Sequence, residues 1–345
     1  MTERMRLGFV GCGDIAGYMA WLARFNRRIQ ITACCDLLPE RANSFARRFK
    51  IPQVFTDYNQ MLAASNLEAV YLAVPHHLHF EMLQTVIQAG LPVLVEKPLT
   101  RTLEEGRRIV QLAQTHHARV GVNYQYRYDR GCYALARAVQ KGELGEIYYA
   151  RINLPWHRNT AYFEQAAWHA RLETSGGGTL ITQGSHLLDV VLWAIGEQPV
   201  NVMGYIAQRT FRHVEVEDLA QATVEMQNGA LVQICSSMIA TPEAAVRIEV
   251  YGSKGTAIYS NRPLPHLRLR GVRISKETPP QKGLHALQRS LEGFRAWVAQ
   301  GQDYLCPAVE ALPTLATVEA IYQSARSGRR QEVYPHTMQK PIQEE

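Results

Sequence analysis

The chain has 345 residues, 46% of them hydrophobic, with 37 Lys and Arg against 31 Asp and Glu. That length suits two domains, and no apolar run reaches the ~18 residues a membrane-spanning helix needs. The surplus of six positive charges is scattered, so it argues against nucleic acid and membrane surfaces while suiting an anionic small molecule.

Six cysteines, Cys12, Cys34, Cys35, Cys132, Cys235 and Cys306, show no C-x-x-C spacing. They read as reduced thiols used as small core residues, with neither a disulfide framework nor a zinc site. The charged start enters a strand almost at once, leaving no room for a signal peptide, so a cytoplasmic protein is expected.

The first third alternates strand and helix. Arg6 to Gly13 reads as an apolar strand breaking into glycines, followed by a helix from Ile15 to Phe25. Strand Ile29 to Asp36 leads to a helix from Pro39 to Phe49, with proline near the first turn, where its missing N–H does no harm. A short helix begins at Tyr58. Strand Glu68 to Pro75 precedes a helix from His79 to Gly90, and strand Pro92 to Pro98 precedes one from Thr102 to His117. Strand Arg119 to Gln125 closes the series. Strands that are apolar throughout and separated by helices predict a doubly wound parallel sheet, a Rossmann-type α/β domain over 1–123.

From residue 124 to 345 the pattern differs. A helix is predicted from Gly131 to Gly145, then alternating strands between Asn201 and Leu269, with Asn228-Gly229 and Lys254-Gly255 as hairpin turns. The reading is a second α/β domain with a large, open, mostly antiparallel sheet. Helices follow at Ala286 to Gly301 and Ala308 to Gly328, the second interrupted or kinked at Pro313. The tail from Tyr334 is polar and reads as loose.

The stretch GFVGCGDIA matches G-x-G-x-x-A at Gly11, Gly13 and Ala16. The first glycine permits a tight turn, the second lets a pyrophosphate approach the backbone, and the alanine lets helix and strand pack closely. Asp14 and Ile15 open the helix whose N-terminal N–H groups would face that phosphate. Asp36 ends the second strand 23 positions after Gly13, the spacing of a ribose-binding acid. Its carboxylate would accept from a 2′-hydroxyl and repel a 2′-phosphate, and Leu37 adds no cation, so NAD is favoured over NADP. Pro75, His76, His77 and His79 follow a strand and suit a cofactor lip, with His76 on the nicotinamide side and His79 packing at the helix start. They lack the supporting acids or cysteines of a metal site. Glu96, Lys97 and Pro98 stand at the carboxyl end of a strand, where ligands of open α/β sheets bind.

The combination of GCGDIA, CCD, VEKP and GGGTLITQGSHLLD resembles the glucose–fructose oxidoreductase / inositol dehydrogenase family, Gfo/Idh/MocA, over nearly the whole chain. The resemblance implies NAD(P)-dependent hydride transfer at a secondary alcohol carbon of a sugar, sugar derivative, nucleotide sugar or cyclitol. It makes Lys97 catalytic and His186 its partner, and suggests that Asn123, Gln125 or Arg127 lines the site. It also implies a homodimer or homotetramer, formed through the open sheet face.

Where the family commonly carries an aspartate four residues before the histidine, this chain has Thr182. On a continuous helix, positions 182 and 186 share one face. A threonine there can orient the imidazole or bond substrate, but it cannot ionise. Asp189 either holds the other imidazole nitrogen or serves the helix alone. Trp156, Arg158, Tyr162 and Trp168 would suit a sugar, with aromatic faces against C–H surfaces and Arg158 or Arg171 gripping a carboxylate or phosphate. The rival reading is a dinucleotide-bound sensor without turnover. Retention of both Lys97 and His186 argues for the enzyme.

Overall fold

Strands β1 (Met5–Val10), β2 (Ile29–Cys35), β3 (Gln53–Phe55), β4 (Ala69–Leu72), β5 (Val93–Val95) and β6 (Val120–Val122) pair in parallel in the order β3-β2-β1-β4-β5-β6. The coordinates are a computed structural model describing residues 4–64, 66–275 and 277–334. The tail read as loose lies, beyond Tyr334, outside the described residues. The strand order is that of a doubly wound dinucleotide-binding sheet, as the alternation of apolar strands and helices predicts. β4, β5 and β6 are wholly buried, because helices cover both faces. β3 carried no signal: two of its three residues are exposed, so it shows no hydrophobic period.

The described residues divide into two units. One comprises the chain up to Asp129 together with Pro279–Leu312; the other comprises Arg130–Thr278 and the chain from Pro313. The expected division at 123/124 reads the chain as two consecutive stretches, whereas the chain leaves the first unit and returns to it. The cause is the apolar face of helix Ala286–Gln300, where Leu287, Leu291 and Phe294 join the core of the parallel sheet. Ser290 on that face donates to Asn123 Oδ1 at 2.7 Å. Sequence period alone marks such a helix as amphipathic without saying which sheet it covers.

In the second unit, β7 (Ile147–Pro155), β8 (Pro199–Ala207), β9 (Leu219–Met226), β10 (Leu231–Ser237), β11 (Arg247–Gly252), β12 (Thr256–Ser260), β13 (His266–Arg270) and β14 (Gln331–Glu332) form an eight-stranded sheet. Its order is β13-β12-β11-β7-β10-β9-β8-β14. It is antiparallel except between β7 and β10. Both expected hairpin turns fall in the loops joining β9 to β10 and β11 to β12. β7 went unread, although its alternation is plain: Ala150, Ile152 and Leu154 are buried while Arg151 and Asn153 are exposed. The open face carries Tyr149 stacked on Tyr251, ring centroids 4.3 Å apart, and Arg151 3.9 Å from Glu249. Helix Ala308–Ser327 continues through Pro313. No helix among the described residues is long and apolar enough to cross a membrane.

Candidate active site

In the first unit the glycine loop is built as its spacing requires. Gly11 has φ +82°, and a side chain there would overlap the Ala73 carbonyl oxygen. Around Gly13 the opposite holds: apart from its chain neighbours, none of the described residues lies within 4 Å of where a Cβ would stand. Gly13 caps helix Asp14–Ala23 without a side-chain hydrogen bond, so the first-turn N–H groups are open to an anion. Ala16 is fully buried against the sheet. A cavity of about 570 Å³ opens beside this loop, lined by Gly13, Asp14, Tyr18, Arg41, Ser44 and Arg48 among others. These features fit a dinucleotide: space at the second glycine, unsatisfied donors at a helix start, and cations at the cavity wall.

Asp36 does more than wait for a ribose. Its Oδ2 accepts the Cys12 N–H at 2.9 Å and its Oδ1 accepts the Leu38 N–H at 3.0 Å, tying the acid to the middle of the glycine loop. Arg41 Nη1 stands 3.9 Å from Oδ2, a cation that sequence reading, looking only at Leu37, missed. It lies on the first turn of helix Pro39–Phe49 and is half exposed.

Lys97 follows β5 and is partly buried, joined to Pro98 by a cis peptide. Burial lowers the pKa of its ammonium from the ordinary lysine range, while the Glu96 carboxylate opposes that shift. Glu96 is not free to swing: its Oε1 accepts the Tyr71 hydroxyl at 2.5 Å and the Asn123 amide at 2.6 Å. Asn123 continues to Ser290, and Ser290 to the Tyr304 hydroxyl at 2.9 Å. A closed network of polar side chains therefore fixes the backbone that carries the lysine.

Pro75 caps helix His76–Gln88, and His76 is buried on its first turn, its ring 5.6 Å from that of His79. His79 reads differently from a cofactor contact. Its Nδ1 faces the Pro98 carbonyl at 2.8 Å and its Nε2 the Val74 carbonyl at 3.0 Å, so it clamps the loop after β4 to the loop bearing Lys97. Burial holds this imidazole below its usual pKa, against the pull of the carbonyls.

Arg127 was expected among the substrate contacts. It is instead buried within the first unit, donating from Nη1 to the Leu305 carbonyl at 2.6 Å and from Nη2 to the Glu310 carbonyl at 3.0 Å. A buried guanidinium needs such acceptors, and the returning segment supplies them.

In the second unit the run from Gly176 to His186 is not one uniform α-helix. Leu180–Gly184 forms a π-turn, and the α-helix runs over Ser185–Ile195. The assumption that Thr182 and His186 lie one α-turn apart therefore fails at this junction. The Thr182 hydroxyl donates back to the Gly178 carbonyl at 2.6 Å. π-turns within helices concentrate at functional sites.

What holds this turn is a residue that sequence reading overlooked. Glu217, buried, accepts the Gly178 N–H at 2.7 Å, the Leu180 N–H at 2.9 Å and the Tyr322 hydroxyl at 2.9 Å. Burial raises its pKa and the three donors counter that. Side chains at Gly177 and Gly178 would overlap the Tyr322 hydroxyl and the Glu217 carbonyl oxygen, respectively. The glycines of GGGTLITQGSH are there so that a carboxylate can reach the helix start. No local pattern announces a partner about forty residues away.

His186 and Thr182 are buried, and Asp189, fully buried, accepts the Thr314 hydroxyl at 3.2 Å. Tyr162 brings the aromatic loop towards this helix: burial raises the pKa of its hydroxyl against the opposing effect of Thr182, Arg158 and Gln183 beside it, and the hydroxyl meets His169 Nδ1 at 3.1 Å. Trp168 lies against His169 with centroids 3.7 Å apart, and Arg171 is exposed.

Comparison with known proteins accords with this architecture. Residues 5–124 match the oxidoreductase family with NAD-binding Rossmann fold, and residues 133–258 the GFO/IDH/MocA C-terminal domain. The chain is 30% identical over 240 residues to an inositol 2-dehydrogenase of Corynebacterium glutamicum, covering 68% of this chain and 67% of that one. It is 25% identical to a 1,5-anhydro-D-fructose reductase of Ensifer adhaerens, over 95% of this chain and 98% of the relative. The WlbA dehydrogenase of Bordetella pertussis, solved in complex with NADH and UDP-GlcNAcA, superposes with a TM-score of 0.84 at 28% identity, covering 96% of this chain and 99% of that one. The chain belongs to the Gfo/Idh/MocA oxidoreductase family. It is an NAD-dependent oxidoreductase.

Proposed function

We propose that this enzyme oxidises or reduces a secondary alcohol carbon of a sugar, sugar derivative, nucleotide sugar or cyclitol. The first unit holds NAD through Gly11, Gly13, Asp14, Ile15, Asp36, Pro75, His76 and Glu96. The second binds substrate through residues that include Arg158, Tyr162, Trp168, Thr182 and His186. When bound, NAD supplies the hydride acceptor. His186, or Lys97 and His186 as a pair, takes up the proton of the substrate hydroxyl, and Thr182 positions it. The observation that carries this reading is the treatment of Lys97: its ammonium is desolvated and its backbone locked through Glu96, Tyr71 and Asn123. A solvated surface lysine would need neither.

The names of the relatives support the substrate class, since they act on an anhydro-sugar and an inositol. Tyr149, Tyr205 and Leu231, exposed on the sheet of the second unit, support assembly as a homodimer or homotetramer, and six free thiols support a cytoplasmic setting. Sedimentation at micromolar concentration checks the assembly, and a monomer there defeats it.

The test of function is absorbance of reduced nicotinamide when protein, NAD and a panel of sugars, inositols and nucleotide sugars are mixed. Lys97→Met should leave NAD affinity unchanged and cut turnover by at least ~100-fold, the usual worth of general acid–base help. Near-normal turnover removes Lys97 from the mechanism, and tight NAD binding with no signal from any panel member favours a sensor.

A further inference from the structure

Arg158 stands out among the arginines of the second unit for how it is held. Its guanidinium lies over the Trp156 ring, 5.2 Å from the centroid, and over the Tyr162 ring at 5.7 Å. Nη1 donates to the His157 carbonyl at 2.7 Å, which fixes the remaining edge. Two aromatic faces and one carbonyl therefore pre-orient a side chain that is only partly exposed. Nε and Nη2 donate to no acceptor among the described residues. The nearest acid, Glu243, stands off at 3.8 Å, also accepting the His157 N–H at 3.2 Å and pairing with Arg262. It leaves most of the positive charge of Arg158 unspent.

The position of this group gives it meaning. The same Tyr162 whose ring carries Arg158 has its hydroxyl beside Thr182 and Gln183, on the turn that leads to His186. One aromatic side chain thus joins a rigid, under-neutralised guanidinium to the helix assigned to the substrate. A planar fork with free donors is matched to an oxyanion, and ordering it in advance reduces the entropy lost on binding.

We propose that the substrate carries an anionic oxygen group, a carboxylate or a phosphate, and that Arg158 selects it. The inference rests on the sugar-dehydrogenase reading for its chemistry, but its ligand preference can be measured separately. Three anionic probes are each compared with the neutral parent sugar: the uronic acid, the 6-phosphate and the uridine-diphosphate sugar. Each is measured by NAD reduction and by calorimetric binding to the enzyme loaded with NADH.

At least one anion should exceed its parent by ~30-fold or more in kcat/KM, the range of a hydrogen bond to a charged group. The arm that does so names the source of the charge. Arg158→Met should collapse that ratio towards unity, and Arg158→Lys, which keeps the charge without the fork, should restore part of it. Thermal melting confirms that both variants are folded.

Neutral sugars turned over as efficiently as all three anions, or a preference untouched by Arg158→Met, overturns the inference while the dehydrogenase reading stands. An Arg158-dependent preference in binding without turnover of any probe defeats that reading and leaves the inference intact. No binding and no turnover with any probe defeats both.

Discussion

Two glycine-rich turns, one in each unit, look alike in sequence and do opposite work. In GCG the second glycine leaves a space that none of the described residues fills. In GGG the second and third glycines leave a space the chain fills itself, with Tyr322 against Gly177 and Glu217 against Gly178. Both spaces lie at a helix start, where backbone N–H groups lack partners. The first start is left open by the described residues; the second is closed by a buried carboxylate of the protein. A glycine cluster before a helix is thus an incomplete signal until the occupant of the space is known.

The comparison breaks most sharply at Gly178. Gly178→Ala would drive a methyl group into the Glu217 backbone, so it should cost more than ~4 kcal/mol or prevent folding. Denaturant unfolding checks this, and a near-wild-type midpoint would show that the glycine is not needed for the close approach. Glu217→Ala leaves two backbone N–H groups and a tyrosine hydroxyl without their acceptor, so a loss of about 3 kcal/mol is expected. Gly13→Ala should do the reverse of Gly178→Ala. Its φ of −79° suits alanine and the space is open, so the melting temperature should hardly move while NAD affinity falls about tenfold or more. Equal effects on both quantities would erase the distinction between the two turns.

The smallest effect concerns pH. His79 has a pKa lowered by burial, so the unfolded chain binds its proton more readily. The contribution of His79 to stability is complete above about pH 6.5, the unfolded value, and is lost as pH falls towards the lowered folded value. His79→Gln should flatten the fall in melting temperature between pH 7 and pH 5, and an unchanged slope would place the acid sensitivity elsewhere.

The parallel sheet, the glycine loop, the acid at Asp36 and the lysine after β5 were legible because each is written locally. Strand and helix periods, turn glycines and an acid at fixed spacing act over a few neighbouring residues, and the doubly wound order follows from the handedness of the crossovers. The amino-acid sequence by itself also settled the family, through motifs short enough to read in place.

Only the tertiary structure decided which helix returns to cover the first sheet, that Arg127 is consumed by Leu305 and Glu310, and that Glu217 and Tyr322 hold the turn bearing Thr182. It also placed Arg158 against two rings. Each of these depends on partners brought together by packing. A buried charge or unsatisfied N–H must find an acceptor somewhere, but the local pattern does not say where.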